Sequence, residues 1–202
     1  MYVVFLVGGI ASGKSTVLRE LKRRGACCAD LDAISREVTQ AGSPTNELLA
    51  DAFGADILDE SGALRRAELA RRAFASFEGT RKLEQIVHPA IRERLGQWLD
   101  AQRPDAICVV EIPLLDRVED LIALADEVLC VVSSMDTRRV RAVGRGMTVA
   151  DFDARVAQQT TDDYLIAHST TVFRNDEDMQ ALMRTIDAWW EARQKDVFSY
   201  DA

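Results

Sequence analysis

The sequence predicts an α/β fold: a five-stranded, mostly parallel sheet flanked by helices, with a helical lobe and a short lid. Two observations carry this. Five short β-type runs, Tyr2–Val7, Ala26–Ala29, Ala106–Ile112, Glu127–Val132 and the weaker Thr171–Phe173, are continuously apolar rather than alternating. Continuous runs suit strands covered on both faces. Helical patterns separate them, and strands alternating with helices wind into a doubly wound parallel sheet.

The elements follow in order. The first run passes through glycines into an amphipathic helix, Thr16–Arg24. The second ends in Ala29-Asp30-Leu31-Asp32 and precedes a helical stretch, Ala33–Gln40. The interval before the third run is far longer than a crossover requires. It reads as helix throughout: Ser43–Phe53, Arg66–Phe77, then Thr80–Gln102 with a break at Pro89. Residues 42–105 are therefore expected to form the lobe, and 1–41 with 106–202 the core. After the fourth run, Arg138, Arg141 and Arg145 fall at i, i+3 and i+7 on one helical face, with Gly144 and Gly146 around the last. Residues 137–148 are the expected lid. The last helix, Asp176–Arg193, spaces Met179, Leu182, Met183, Ile186, Trp189 and Trp190 as a core-facing stripe.

Composition narrows the function. With 48% apolar and 29% charged residues in 202, the chain is neither disordered nor collagenous nor a disulfide scaffold. A net charge of -8 argues against wholesale binding of nucleic acid or anionic membrane. No stretch approaches the ~20 apolar residues of a membrane span. The N-terminal run lacks the basic flank and the length of a signal peptide's core. Cys27, Cys28, Cys108 and Cys130 show no zinc spacing and sit in apolar runs, so buried free thiols are expected. The expectation is a cytoplasmic protein that binds small molecules and is a monomer or weak homo-oligomer.

Within GGIASGKST, residues 8–16, Gly8, Gly13, Lys14 and Ser15 fit G-x-x-x-x-G-K-[ST] between a strand and a helix. The glycines let several N–H groups converge on a phosphate, and the helix N-terminus adds its dipole. Lys14 reaches the β- and γ-phosphates, and the Ser15 hydroxyl ligates magnesium. This is a nucleotide phosphate site, and it makes the predicted fold that of the P-loop NTPases.

Ligands of open α/β sheets bind beyond the carboxyl ends of the strands. Asp30 and Asp32, two apart on an extended segment, would project to the same side there. One would accept a proton from a substrate hydroxyl and another would help hold magnesium, or Asp32 merely caps the next helix. Glu111 either holds metal through water or is a strand-end acid facing solvent. The arginine face suits the charge that spreads over phosphate oxygens during transfer, or is a solvated, salt-bridged surface.

With these residues in place, the chain resembles the dephospho-coenzyme A kinase family over nearly its whole length. The resemblance includes Val7-Gly8-Gly9, the segment from Asp30 to Arg36, Gly42-Ser43-Pro44, Phe53-Gly54, Leu64-Arg65-Arg66 with Leu69, and Ile86 to Ile91 around His88-Pro89. Pro113-Leu114-Leu115 and an R-x-x-x-Q segment closed by Gln159 complete it. The resemblance implies Mg2+-dependent transfer of the ATP γ-phosphate to the ribose 3′-hydroxyl of dephospho-coenzyme A. It assigns catalysis to Asp32 as base, Lys14 and Arg141. It assigns ATP to Gly8, Gly9, Ala11, Ser12, Gly13, Lys14, Ser15, Thr16, Arg145 and Asn175. The acceptor falls to the lobe and to Asp30, Arg66, His88, Pro113 and Leu114. The chain departs from the family pattern at Val7, Asp116-Arg117, Ser169-Thr170 and Arg174, mostly where the family closes its adenine pocket. Another small-molecule kinase of this fold, such as a nucleoside monophosphate kinase, is disfavoured by the His-Pro and Pro-Leu-Leu segments. A regulator without catalysis is disfavoured by the presence of Lys14, Ser15, Asp32 and Arg141.

Overall fold

Burial on both faces turns the apolar runs into strands. The computed structural model describes residues 1–199. Along the chain it has β1 (Tyr2–Val7), α1 (Lys14–Arg23), β2 (Cys27–Asp30), α2 (Leu31–Val38), α3 (Pro44–Phe53), α4 (Arg66–Ala73) and α5 (Phe77–Asp100). These are followed by β3 (Ile107–Glu111), β4 (Glu127–Val132), α6 (Met135–Val143), α7 (Val149–Val156), α8 (Asp162–Ala167), β5 (Thr171–Arg174) and α9 (Met179–Ser199). Short 3-10 turns at Ala55–Ile57, Leu115–Arg117 and Glu119–Leu124 leave no periodic signature in the sequence.

The chain divides into two compact units, one built from Met1–Asp30 with the residues from Gln102 on, the other from Leu31–Ala101. In the first, the strands lie in the order β2-β3-β1-β4-β5 and every pairing is parallel. All carboxyl ends therefore open on one edge, where β1 delivers the glycine loop. Asp30 pairs in register with Glu111, so these two acids leave the sheet on the same side. Val4, Leu6, Val109, Leu129 and Val131 from the strands pack with Val17 and Leu21 of α1 and Leu182, Ile186 and Trp189 of α9. The predicted stripe on the last helix does face this core.

The second unit is all helical. Ser43 caps α3 by accepting the Asn46 N–H at 3.2 Å, with Pro44 at its first position, and Ser76 caps α5 through the Gly79 N–H. Leu49, Ile57, Leu69 and Ala73 form its core. The structure moves three boundaries. The unit starts at Leu31 rather than 42, because α2 packs along α5. The fourth helix stops at Ala73, short of Phe77, where Ser76 caps the next one. That next helix is not broken at Pro89: α5 runs through it. One missing backbone hydrogen bond is outweighed there by the packing of a 24-residue helix along the unit.

All four cysteines are free, but Cys27 and Cys28 are only half-buried. Burial pushes the thiol of Cys108 up to about 12 and that of Cys130 to about 11, so neither is a nucleophile near neutrality. No helix among the described residues is long and apolar enough to cross a membrane.

At the sheet's amino end, Glu127 is a buried acid with three donors: the Tyr2 hydroxyl at 2.9 Å, Trp189 Nε1 at 2.9 Å and Arg193 Nε at 2.6 Å. The Arg193 guanidinium also lies over the Tyr2 and Trp189 rings. Burial opposes the charged carboxylate, yet its hydrogen bonds, led by that from Arg193, outweigh it and hold the carboxyl below its ordinary value. Glu127→Ala strands these donors and should cost about 3 kcal/mol in urea denaturation. A depressed carboxyl contributes stability that is present above its unfolded value and lost as pH falls through the folded one. Glu127→Gln should therefore lose less stability than the native chain between about pH 5 and pH 3, read as the urea midpoint against pH.

Candidate active site

The loop between β1 and α1 takes its shape from glycine. Gly13 caps α1 at φ 106°, and its carbonyl accepts the N–H groups of Thr16 and Val17 at 2.9 and 3.0 Å. A Cβ on Gly13 would lie 2.1 Å from Asn175 Nδ2, and one on Gly8, at φ 151°, would lie 2.5 Å from the Val131 carbonyl oxygen. The glycines are thus required by the scaffold behind the loop as well as by the turn itself. Ala11 holds φ 59° without being glycine.

Side chains from the last third of the chain grip the loop. Ile10 N–H donates to Gln159 Oε1 at 2.7 Å, and Arg138 Nε donates to the Ile10 carbonyl at 2.7 Å. The Ser12 carbonyl accepts from Asn175 Nδ2 at 2.8 Å and lies 3.0 Å from the Ser133 hydroxyl. Arg141 donates to the Asn175 carbonyl and to Ser133 Oγ, each at 2.9 Å.

The three arginines do not share a face. The helix ends at Val143, which leaves Arg145 in the glycine turn beyond it. Arg138 is 2% exposed and paired with Asp162 at 2.9 Å. A guanidinium buried with a carboxylate belongs to the scaffold rather than to a solvated surface. Arg141 is half-buried, and Arg139, on another side, pairs with Asp153.

A cavity of about 380 Å³ opens over the loop. Gly8, Gly9, Ala11, Gly13, Lys14 and Ser15 line it, with Glu111, Pro113, Leu114 and Arg145. Ser12 and Asn175 are buried, and their contacts described above lie within the loop and its support. Thr16 sits half-buried in the first turn of α1. Arg155 and Gln158 also line the cavity, and the sequence reading gave them no role. The R-x-x-x-Q spacing, which runs from Arg155 to Gln159, is a signal for Arg155 but not for Gln158. Lys14 Nζ lies 3.2 Å from Glu111 Oε1, so the loop's cation is already aimed along the sheet edge.

The donor set fits a divalent ion held jointly with a nucleotide. Among the described residues no group of three His, Cys, Asp or Glu side chains could hold a metal by itself. Ser15 and Glu111 offer oxygen at the loop, and Mg2+ characteristically takes the rest of its shell from phosphates and water.

The second unit carries the remaining candidates. Asp32 lies exposed in the first turn of α2, which begins at Leu31, so Asp30 and Asp32 are not on one extended segment. An acid there complements the helix dipole from inside the turn rather than capping it. Arg66 opens α4 and donates to Thr39 Oγ1 at 3.0 Å. His88 is half-buried on α5, just before Pro89.

The family model for dephospho-CoA kinase matches residues 2–181. The chain belongs to the dephospho-CoA kinase family. The dephospho-CoA kinase of Corynebacterium diphtheriae is 37% identical over 194 residues, covering 95% of this chain and 96% of that protein. That of Streptomyces avermitilis is 37% identical over 191 residues, covering 94% and 93%. A crystal structure from Thermus thermophilus superposes with a TM-score of 0.75 at 28% identity, covering 95% and 97%. The dephospho-CoA kinase of Campylobacter jejuni shares the fold, with a TM-score of 0.70 at 20% identity and coverage of 96% and 97%.

Three of the positions at which this dephospho-CoA kinase family member departs from the family pattern have hydrogen-bond partners in the fold. Asp116, one place early, accepts the Thr160 hydroxyl. Ser169 Oγ donates to the Leu165 carbonyl at 2.6 Å, and Thr170 Oγ1 accepts the Val128 N–H at 3.1 Å. These residues fasten α8 and the start of β5. The glycine geometry gives a direct test. Gly13→Ala combines a left-handed backbone with the Asn175 contact, strain of about 1–3 kcal/mol. It should weaken ADP binding about tenfold or more in isothermal titration while the far-UV circular dichroism keeps its helical signal.

Proposed function

We propose that the protein transfers the γ-phosphate of ATP to the ribose 3′-hydroxyl of dephospho-coenzyme A, giving coenzyme A and ADP in the last step of coenzyme A synthesis. The observation that carries this is the phosphate-loop cavity with Lys14 against Glu111, in a chain of this family. The loop N–H groups and Lys14 hold the β- and γ-phosphates, and Arg145 adds charge from the lid turn. Ser15, with Glu111 through water, holds Mg2+, which neutralises phosphate charge when bound with ATP. Arg141 completes the catalytic set from the root of the lid. Asp32 is the base: a ribose hydroxyl is a poor nucleophile at neutral pH, and a carboxylate orients it and takes its proton. Asp30, Arg66, His88, Pro113 and Leu114 serve the acceptor. The setting is the cytoplasm, with these two small molecules as partners and neither nucleic acid nor membrane involved. Self-association beyond a weak homo-oligomer is not required.

A coupled assay with ATP, Mg2+ and a panel of acceptors tests the substrate. ADP release is expected with dephospho-coenzyme A; release with a nucleoside monophosphate alone would overturn the assignment. Asp32→Asn should lower kcat by about 10²–10⁴ with a modest change in the KM for ATP. Loss of turnover in Asp30→Asn but not in Asp32→Asn would move the base to Asp30. Ser15→Ala should raise the Mg2+ concentration for half-maximal rate by about tenfold or more.

A further inference from the structure

Ala11 is the one residue other than glycine with a positive φ among the described residues, at 59°. An alanine holds the left-handed region only where its surroundings leave it no alternative. Those surroundings are specific. On one side of Ala11, both backbone polar groups of Ile10 are taken, which fixes the peptide planes before and after that residue: the N–H by Gln159 Oε1 and the carbonyl by Arg138 Nε, each at 2.7 Å. On the other side the Ser12 carbonyl is fixed by Asn175 Nδ2 at 2.8 Å. Arg138 is itself immobilised, with Nη1 3.0 and 2.9 Å from the two Asp162 oxygens. Its guanidinium lies so close beneath Gly9 that a Cβ there would come within 2.3 Å of Nη2.

We propose that Gln159 and Arg138 are positioning residues for the nucleotide: they hold Ala11 left-handed, so that the loop's N–H groups are aimed at the phosphates before these arrive. The inference rests on the proposed ATP site and deepens it. Gln159 also lines the cavity and Arg138 does not, but the clamp acts through the Ile10 backbone and requires neither side chain to touch the nucleotide. Without the clamp, Ala11 relaxes, the competent loop becomes a minor conformer, and apparent affinity falls by the fraction that remains competent. Glycine populates both signs of φ about equally, so it removes the conformational penalty that the clamp opposes.

That predicts a rescue which a merely stabilising role would not give. ADP binding, measured by isothermal titration, needs no acceptor and no turnover. Gln159→Ala should weaken it about tenfold. Adding Ala11→Gly in that background should recover at least about threefold, whereas Ala11→Gly in the native background should not tighten binding. In steady state, Gln159→Ala should raise the KM for ATP and leave that for dephospho-coenzyme A within about twofold. Where Gln159→Ala fails to fold by circular dichroism, Arg138→Lys replaces it, since it keeps a cation for Asp162 but loses the Nε that reaches Ile10, and the same rescue is expected. Additive effects without recovery, or a Gln159→Ala variant that binds ADP like the native chain, would overturn the proposal. Failure of the native chain to bind ADP would instead overturn the nucleotide site itself.

Discussion

A backbone that turns several N–H groups toward one point must turn its carbonyls away, and those carbonyls need donors behind the loop. Here the Ile10 and Ser12 carbonyls meet Arg138 and Asn175. Much of the core unit's architecture follows from this constraint. The parallel sheet brings every strand's carboxyl end to one edge, so that the segments after β4, α7 and β5 arrive behind the same loop. The glycines at 8 and 13 are as much a consequence of this close support as of the turn.

Charge is distributed to match. The chain as a whole carries -8, yet Lys14, Arg145 and Arg155 line one cavity with Glu111 as its acid. Local cationic character is what a polyphosphate requires, and the net charge says little about it. Arg138, which also looks like a phosphate ligand in sequence, is buried and spends its hydrogen bonds on Ile10 and Asp162. Two kinds of arginine therefore stand within one short segment, separated by burial rather than by type.

The opposite end of the sheet has its own polar anchor. Glu127 ties the start of β1 and α9 to β4 through Tyr2, Trp189 and Arg193. Satisfying a buried carboxylate with three donors specifies one seating of α9 more sharply than its apolar stripe alone.

The sequence by itself determined the five strands, the nucleotide loop and the helical lobe. Each depends on local features: continuous apolar runs, glycine spacing ahead of Lys14, an interval too long for a crossover. It also placed Asp30 and Glu111 at strand ends, whereas Asp32 falls inside the first turn of α2. Only tertiary structure decided that α2 belongs with the lobe helices, that α5 runs through Pro89, and that Arg145 leaves the face of Arg138 and Arg141. It alone assigned Arg138, Gln159 and Asn175 to the loop's support. Their bonds to Ile10 and Ser12 span 128, 149 and 163 residues of chain. Periodicity reports which residues share a face, but not which buried donor meets which carbonyl once the sheet has closed.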